Sequence, residues 1–254
     1  MRGLLLDFDG TIAETERFGH RVAYNRAFAE LGLDWDWDER LYGELLAVAG
    51  GNERIRAYLR RYRPEVADAD GTPALIAAVY RAKIRHFARI AGTVAIRPGV
   101  LRLLREAHAA GVRIAIATTA ARQGVEAVLR PQTELWATID LIAASENAAR
   151  KKPAPDVYLW ALDQLGLDAA ACVAVEDSGL GLRAALAAHL TTLVTVSDYT
   201  AGDDFTGAAA VVTDLGEPGR PGRSIGGPPP AHGIVDLAYL QALARNGGGA
   251  PPGS

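Results

Sequence analysis

"GLLLDFDGTIAETE" (residues 3–16) decides how the chain folds. Gly3 to Leu6 run without a charge into Asp7, Phe8 and Asp9, and Gly10 and Thr11 come directly after. A short apolar run bounded by a glycine turn predicts a strand covered on both faces, as in a parallel sheet. Asp7 and Asp9 are two apart, so on a strand their side chains point the same way. Two ionised carboxylates that close repel, unless a cation lies between them or one is protonated. A hard, oxygen-seeking ion such as Mg²⁺ meets that need. Gly10 permits a tight turn whose amides can approach an anion, and Thr11 can cap the segment after it. A solvated turn after a strand is the competing reading, because Asp-Gly is a common turn dipeptide.

Similar apolar runs recur at 112–120, 139–145, 172–178, 191–196 and 209–213. The intervening segments 98–111, 155–167 and 178–189 carry apolar residues at helical spacing. That alternation predicts an α/β fold with a Rossmann-like parallel sheet. Between the first and second strands the pattern is helical throughout, at 21–32, 38–50, 52–62 and 73–90. An all-helical block there predicts a cap domain over 15–92, inserted into a core of 1–14 and 93–246. Residues 216–231 hold five Gly and five Pro in sixteen positions, so an irregular segment with neither helix nor strand is expected. A last helix is expected over 233–246, and the tail 247–254 is expected to be disordered.

The chain has 254 residues, 49% apolar and 22% charged, enough for a substantial core. A net charge of -3 argues against general affinity for nucleic acid or an anionic membrane. One cysteine, Cys172, excludes an internal disulfide and suits a reducing compartment; it reads as a small buried hydrophobe. No window approaches eighteen uncharged apolar residues, and the first apolar run stops at Leu6, short of a signal peptide. The chain is therefore expected in the cytoplasm, acting on a small molecule as a monomer.

The other strand ends change the odds on Asp7 and Asp9. "IATT" ends the second strand with Thr118 and Thr119, which offer hydroxyls and an amide to a phosphate. "VEDSGLG" ends the fourth with Glu176 and Asp177, and "KKPAPD" carries Lys152 ahead of it. Only Lys83, Lys151 and Lys152 are lysines among 27 basic residues. Threonines in a strand, acids at a helix start and a solvated lysine are mundane taken singly. Together they put carboxylates, hydroxyls and an ammonium at the carboxyl edge of one sheet, where ligands collect.

This ordered set, "DFDGT", "TT", "KKPAPD" and "ED", resembles the haloacid dehalogenase superfamily over the chain up to about residue 214. The resemblance implies Asp7 as nucleophile and Asp9 as general acid and base. Thr118 and Lys152 would hold the phosphate, and Glu176 and Asp177 would bind Mg²⁺ with Asp7 and the Asp9 carbonyl. An Asp at the second position is typical of its phosphatases and phosphomutases. The helical block, with "AETE", "FAELGLDWDWD", "DERLYGELL" and "GGNERI", is similar to the CbbY-type branch of sugar-bisphosphate phosphatases. That likeness implies xylulose-1,5-bisphosphate, a Rubisco inhibitor, as substrate in connection with the Calvin cycle. It also places Glu16, His20, Tyr42, Gly50, Gly51 and Arg54 along the substrate pocket.

The plainer readings stay open: Arg54 as an exposed residue at a helix boundary, and His20 as a partly buried helix residue. Trp35 and Trp37 are expected to pack. Two features depart from the branch: Asn52 stands where it usually has Lys, and Gly19 lengthens the spacing from Glu16 to His20. The expected function is a Mg²⁺-dependent phosphatase working through a phospho-aspartate. Phosphoglycolate phosphatase or phosphosugar mutase is the near alternative. A receiver-like signalling domain is the distant one, disfavoured by the helical insert.

Overall fold

The computed structural model describes residues 1–48 and 50–247. The expected tail beyond 247, and Ala49 in the expected 38–50 helix, lie outside the described residues. The chain forms two compact units. The first holds Met1–Ala13, Ile96–Arg122 and Gln132–Ser254, and the second holds Glu14–Ala95 and Gln123–Pro131.

The first unit is built on a seven-stranded sheet. Its strands are β1 (Gly3–Leu6), β2 (Arg113–Ala117), β3 (Leu141–Ala143), β4 (Cys172–Glu176), β5 (Thr191–Thr195), β6 (Ala210–Val212) and β7 (Ser224–Gly226). They lie in the order β3-β2-β1-β4-β5-β6-β7, and every pairing is parallel except β6 with β7. β1 and β4 are buried along their whole length, because helices cover both faces of a parallel sheet and leave the central strands no wet side. Cys172 opens β4 as a free, buried thiol, its pKa pushed up to about 11 chiefly by burial.

Each strand is shorter than its apolar run suggests. β1 ends at Leu6 because the chain then turns: the amides of Ile12 and Ala13 both reach the Phe8 carbonyl, at 3.0 and 3.1 Å. The turn closes on the antiparallel bridge between Ala13 and Ile96.

The expectation of neither helix nor strand over 216–231 is corrected by β7. Its residues are free of proline, and the prolines fall in the turns on either side. Thr213 N–H donates to the Arg223 carbonyl at 2.9 Å, and Gly222 N–H to the Gly233 carbonyl at 2.8 Å. Arg102 holds the same stretch, its Nη2 donating to the carbonyls of Leu215, Gly216 and Val235 at 2.9–3.0 Å. The last helix runs Leu237–Gly247, starting later than expected because Gly233 takes φ 67°. Asp236 then caps the helix start, accepting from Tyr239 N–H at 2.7 Å.

The second unit is helical: Arg21–Glu30, Glu39–Leu46, Gly51–Tyr62, Pro64–Ala67 and Thr72–Ile90. Asp38 caps the second of these, accepting from Leu41 N–H at 2.7 Å. Its core is aromatic. The Trp37 ring lies 4.6 Å from Tyr24, 5.0 Å from Phe28 and 5.3 Å from Tyr58, and Trp35 packs edge-on to Phe28 at 5.4 Å. Such offset and edge-on geometries arise from the ring quadrupoles. Both tryptophans thus pack, as expected. Sequence order assigns 123–131 to the sheet domain, yet this stretch packs with the helices. A Cβ added at Gly124 would sit 3.7 Å from the Phe87 ring, and one at Gly92 would sit 3.9 Å from Pro131.

The lengthened spacing at Gly19 has a local solution. Residues Glu16–His20 form a π turn, closed by Arg21 N–H donating to the Glu16 carbonyl. A π turn holds one more residue than an α turn, so the helix absorbs the extra position. Gly19 is needed there because a Cβ would lie 2.8 Å from the Phe87 ring.

Trp37 is fully buried, so Trp37→Ala should destabilise the fold by about 3–5 kcal/mol. A lowered urea midpoint measures this, and an unchanged midpoint contradicts the packing described.

Candidate active site

The pairing register sets the site. Leu6 stands level with Ile116 on β2 and Val175 on β4, so Asp7, one residue on, reaches the level of Ala117 and Glu176. Asp7 N–H donates to the Val175 carbonyl at 2.9 Å, which carries the ladder one step past β1. Thr118 comes directly after β2, and Asp177 directly after β4. Four strand-end residues therefore meet at one edge without any loop having to reach across.

Lys152 is the centre of the arrangement. Its Nζ donates to Asp7 Oδ1 and to Glu176 Oε1, each at 2.6 Å. All three side chains are buried. Burial opposes the ammonium charge, but Asp7 and then Glu176 outweigh it and hold the Lys152 pKa above its ordinary value. Burial pushes the Asp7 carboxyl up to about 8, with Lys152 pulling it down and Glu176 and Asp9 raising it. Burial likewise lifts Asp177 well above the usual carboxylate range, reinforced by Asp7 and Glu176.

Thr118 is buried, and its Oγ1 accepts from Ala120 N–H at 3.0 Å, which leaves the hydroxyl hydrogen to donate outward. Thr119 and Asp9 are half-buried at the same edge. Gly10 sits at φ 83°, and a Cβ there would lie 2.3 Å from Asp177 Oδ2, so only glycine satisfies both the turn and the contact.

Two further residues lie at the site, and neither was among the candidates read from the sequence. Tyr158, fully buried, donates its hydroxyl to the same Glu176 Oε1 that Lys152 holds, at 2.5 Å; it sits at the end of the motif run "KKPAPDVY". Arg97 threads its guanidinium among backbone carbonyls beneath the Asp9–Gly10 turn. Nothing in "IRPG" sets that arginine apart from the others of an arginine-rich chain.

The residues expected to read the substrate fall in the helical unit. Tyr42 donates its hydroxyl to Glu16, and Arg54 Nη1 donates to the Tyr42 oxygen at 3.1 Å. Arg54 is buried and lies 5.4 Å from the Tyr42 ring centroid, so the reading of an exposed helix-boundary residue is corrected. Burial, then Glu16, raises the Tyr42 pKa. Gly50 takes φ 97°, and Gly51 opens the next helix with Tyr24 donating to its carbonyl at 3.3 Å. His20 packs on Phe87 in a tilted pair, ring centroids 4.2 Å apart. Asn52 Oδ1 is buried with no hydrogen-bond partner among the described residues.

Known proteins share the sequence and the fold. The family model described as haloacid dehalogenase-like hydrolase matches residues 1–189. The chain is a haloacid dehalogenase-like hydrolase. Among relatives of this hydrolase, "Protein CbbY, plasmid" of Cupriavidus necator is 46% identical over 246 residues, covering 95% of this chain and 96% of the relative. The crystal structure of CbbY from Rhodobacter sphaeroides in complex with phosphate is 38% identical, with TM-score 0.80, over 95% of this chain and 99% of that one. A mutant of that CbbY, solved in complex with xylulose-(1,5)bisphosphate, matches equally at TM-score 0.80 and 38% identity, over 94% of this chain and 99% of that one. These relatives place the hydrolase on the phosphatase side of its family. Among the described residues no helix is long and apolar enough to cross a membrane.

Hydrolases of this family generally use a divalent metal, and the donor set fits one. Asp7, Glu176 and Asp177 each offer a carboxylate oxygen within 4.8 Å of the others, all buried. The upward shifts of Asp7 and Asp177 come first from burial and then from the neighbouring carboxylates, and a hard cation held among these oxygens relieves the repulsive part.

This linkage is open to titration. Asp7 folded holds a proton that the unfolded chain has released between about pH 4 and the folded value. Folding stability in a chelator should therefore fall as pH rises through that window. A divalent cation held by these carboxylates would stabilise their ionised form, so Mg²⁺ should raise the melting temperature more at about pH 8 than at about pH 5. Equal Mg²⁺ effects at both ends, read by differential scanning fluorimetry, contradict the assignment.

Proposed function

We propose that this hydrolase is a Mg²⁺-dependent sugar-phosphate phosphatase that works through a phospho-aspartate on Asp7, with xylulose-1,5-bisphosphate as its substrate. The observation that carries the reading is the buried Asp7–Lys152–Glu176 group at the sheet edge. It pairs a carboxylate with a fixed ammonium where Thr118 can donate a hydrogen bond. Phosphate esters need attack by a nucleophile and neutralisation of three charged oxygens.

In the proposed reaction an Asp7 oxygen attacks phosphorus, and the bond from phosphorus to the sugar oxygen breaks. Asp9 gives its proton to the departing alkoxide. Water then attacks the phosphorus of the aspartyl-phosphate, giving its proton to Asp9, and the acyl phosphate bond opens to restore Asp7. Lys152 and Thr118 hold the phosphoryl oxygens throughout. Mg²⁺ held by Asp7, Glu176, Asp177 and the Asp9 carbonyl would supply further positive charge to those oxygens.

The substrate is inferred from likeness and chemistry together. A relative so similar in sequence and fold is known with xylulose-(1,5)bisphosphate, and this chain carries a buried arginine and an acid joined through Tyr42. Arg54 suits a second phosphate, and Glu16 suits sugar hydroxyls. In this reading the enzyme clears a Rubisco inhibitor in support of the Calvin cycle. Asn52 removes one cation from the distal phosphate, so affinity for a bisphosphate is the weakest point of the match.

Phosphate release from xylulose-1,5-bisphosphate, phosphoglycolate and hexose phosphates with Mg²⁺ tests the proposal. Turnover of the bisphosphate should exceed the others, and Asp7→Asn should lower kcat about a thousandfold or more. Full activity of that variant removes Asp7 as nucleophile, and isomerised product with phosphate retained identifies a mutase. Asn52→Lys should lower KM for the bisphosphate; no change means position 52 does not meet the distal phosphate.

A further inference from the structure

We infer that Arg97 is a positioning residue for this reaction, holding the Asp9–Gly10 turn in register with Asp177. Its backbone N–H donates to the Ile12 carbonyl at 2.9 Å. Its Nη1 donates to the Gly10 carbonyl, to the Thr195 carbonyl at 2.9 Å and to Thr195 Oγ1 at 3.3 Å. Its Nη2 donates to the carbonyls of Val196 at 2.9 Å and Thr213 at 2.8 Å. The side chain is buried.

Those carbonyls belong to three strand ends. Gly10 lies in the turn that follows β1, Thr195 closes β5 with Val196 directly after it, and Thr213 lies directly after β6. In the sheet order β4 lies between β1 and β5, and β4 ends in Glu176, with Asp177 directly after it. One guanidinium therefore ties together the ends on both sides of the strand that delivers the acid pair. Gly10 is the point where this matters, since even a Cβ there would lie 2.3 Å from Asp177 Oδ2. The turn has no slack toward the carboxylate, so its carbonyl anchor fixes how Gly10 and Asp177 meet.

The residue type matches the task. A guanidinium presents five donors in a planar fork and stays charged, while an ammonium gathers its donors on one nitrogen. A lysine at 97 keeps the charge but cannot span Gly10, Val196 and Thr213 together. A fold staple and a positioning residue differ in what they predict. A staple changes how many molecules are folded; a positioning residue changes how fast each folded molecule turns over. A displacement near 1 Å at a reacting group costs about a hundredfold in rate.

The kinetic arm rests on the phosphatase reading, and a spectroscopic arm does not. Full-length Arg97→Lys and Arg97→Met are compared with the wild type in Mg²⁺, using p-nitrophenyl phosphate and xylulose-1,5-bisphosphate. Arg97→Lys should stay folded by circular dichroism and lose about tenfold to a hundredfold in kcat, with KM within about threefold of wild type. The backbone amide resonances of Gly10 and Asp177 should move together in its ¹⁵N spectrum. If Arg97→Met does not fold, Arg97→Lys decides alone. Wild-type kcat per folded molecule in Arg97→Lys, or unmoved Gly10 and Asp177 resonances, overturns the inference. If the wild type releases phosphate from neither substrate, the phosphatase reading is what fails, and the two resonances still decide the role of Arg97.

Discussion

The structure depends on one buried ammonium. Lys152 lies between Asp7 and Glu176 at 2.6 Å from each, and without it the sheet edge would hold a cluster of carboxylates away from water. Removing one partner of a buried charge group leaves an uncompensated charge, which is far costlier than losing a surface pair. The surroundings answer that constraint. Tyr158 gives Glu176 a second donor, Thr118 turns its hydroxyl toward the edge, and the parallel register brings Asp7 and Glu176 to the same level. The energy invested in gathering these charges is what would let the edge take up a cation and, in the proposed reaction, a phosphate.

Cations in this chain divide by shape. Lysine appears where a compact charge must meet two carboxylates, at Lys152. Arginine appears where several carbonyls must be gathered in a plane, at Arg97 under the Gly10 turn and at Arg102 beside Leu215, Gly216 and Val235. Arg54 shows a third use, stacking near the Tyr42 ring while donating to its oxygen. Against a composition with three lysines among 27 basic residues, position 152 is where the shape of the charge matters most.

The parallel sheet was legible because its strands are buried on both faces and therefore spell continuous apolar runs. Asp7, Thr118, Lys152, Glu176 and Asp177 were legible because each directly succeeds such a run or stands in a fixed motif. Arg97 and Tyr158 were not: Arg97 is one arginine among many and shows its role only through carbonyls as distant as Thr213, 116 positions on, and Tyr158 reads as one more apolar position of a helix until its hydroxyl is seen on Glu176. β7 hid among prolines because composition averages over a stretch, while a three-residue strand needs only its own residues to be free to pair. The π turn at Gly19 left a trace in the sequence, an irregular spacing, but its resolution depends on the Phe87 ring pressing on that glycine.

Both borders of the sheet are three residues long, β3 at one side and β7 at the other. An exposed border is a template on which a foreign strand can add, and its hazard grows with the length of unpaired backbone. β6, left outermost, would have offered the apolar run Ala210–Val212 to any passing chain. β7 covers it with a strand of three residues that ends in glycine, pairs with a register shift and lies between prolines, which recruits poorly in turn. The glycine- and proline-rich segment thus occupies the border beside β6, and its removal would leave the apolar backbone of Ala210–Val212 unpaired at that side of the sheet.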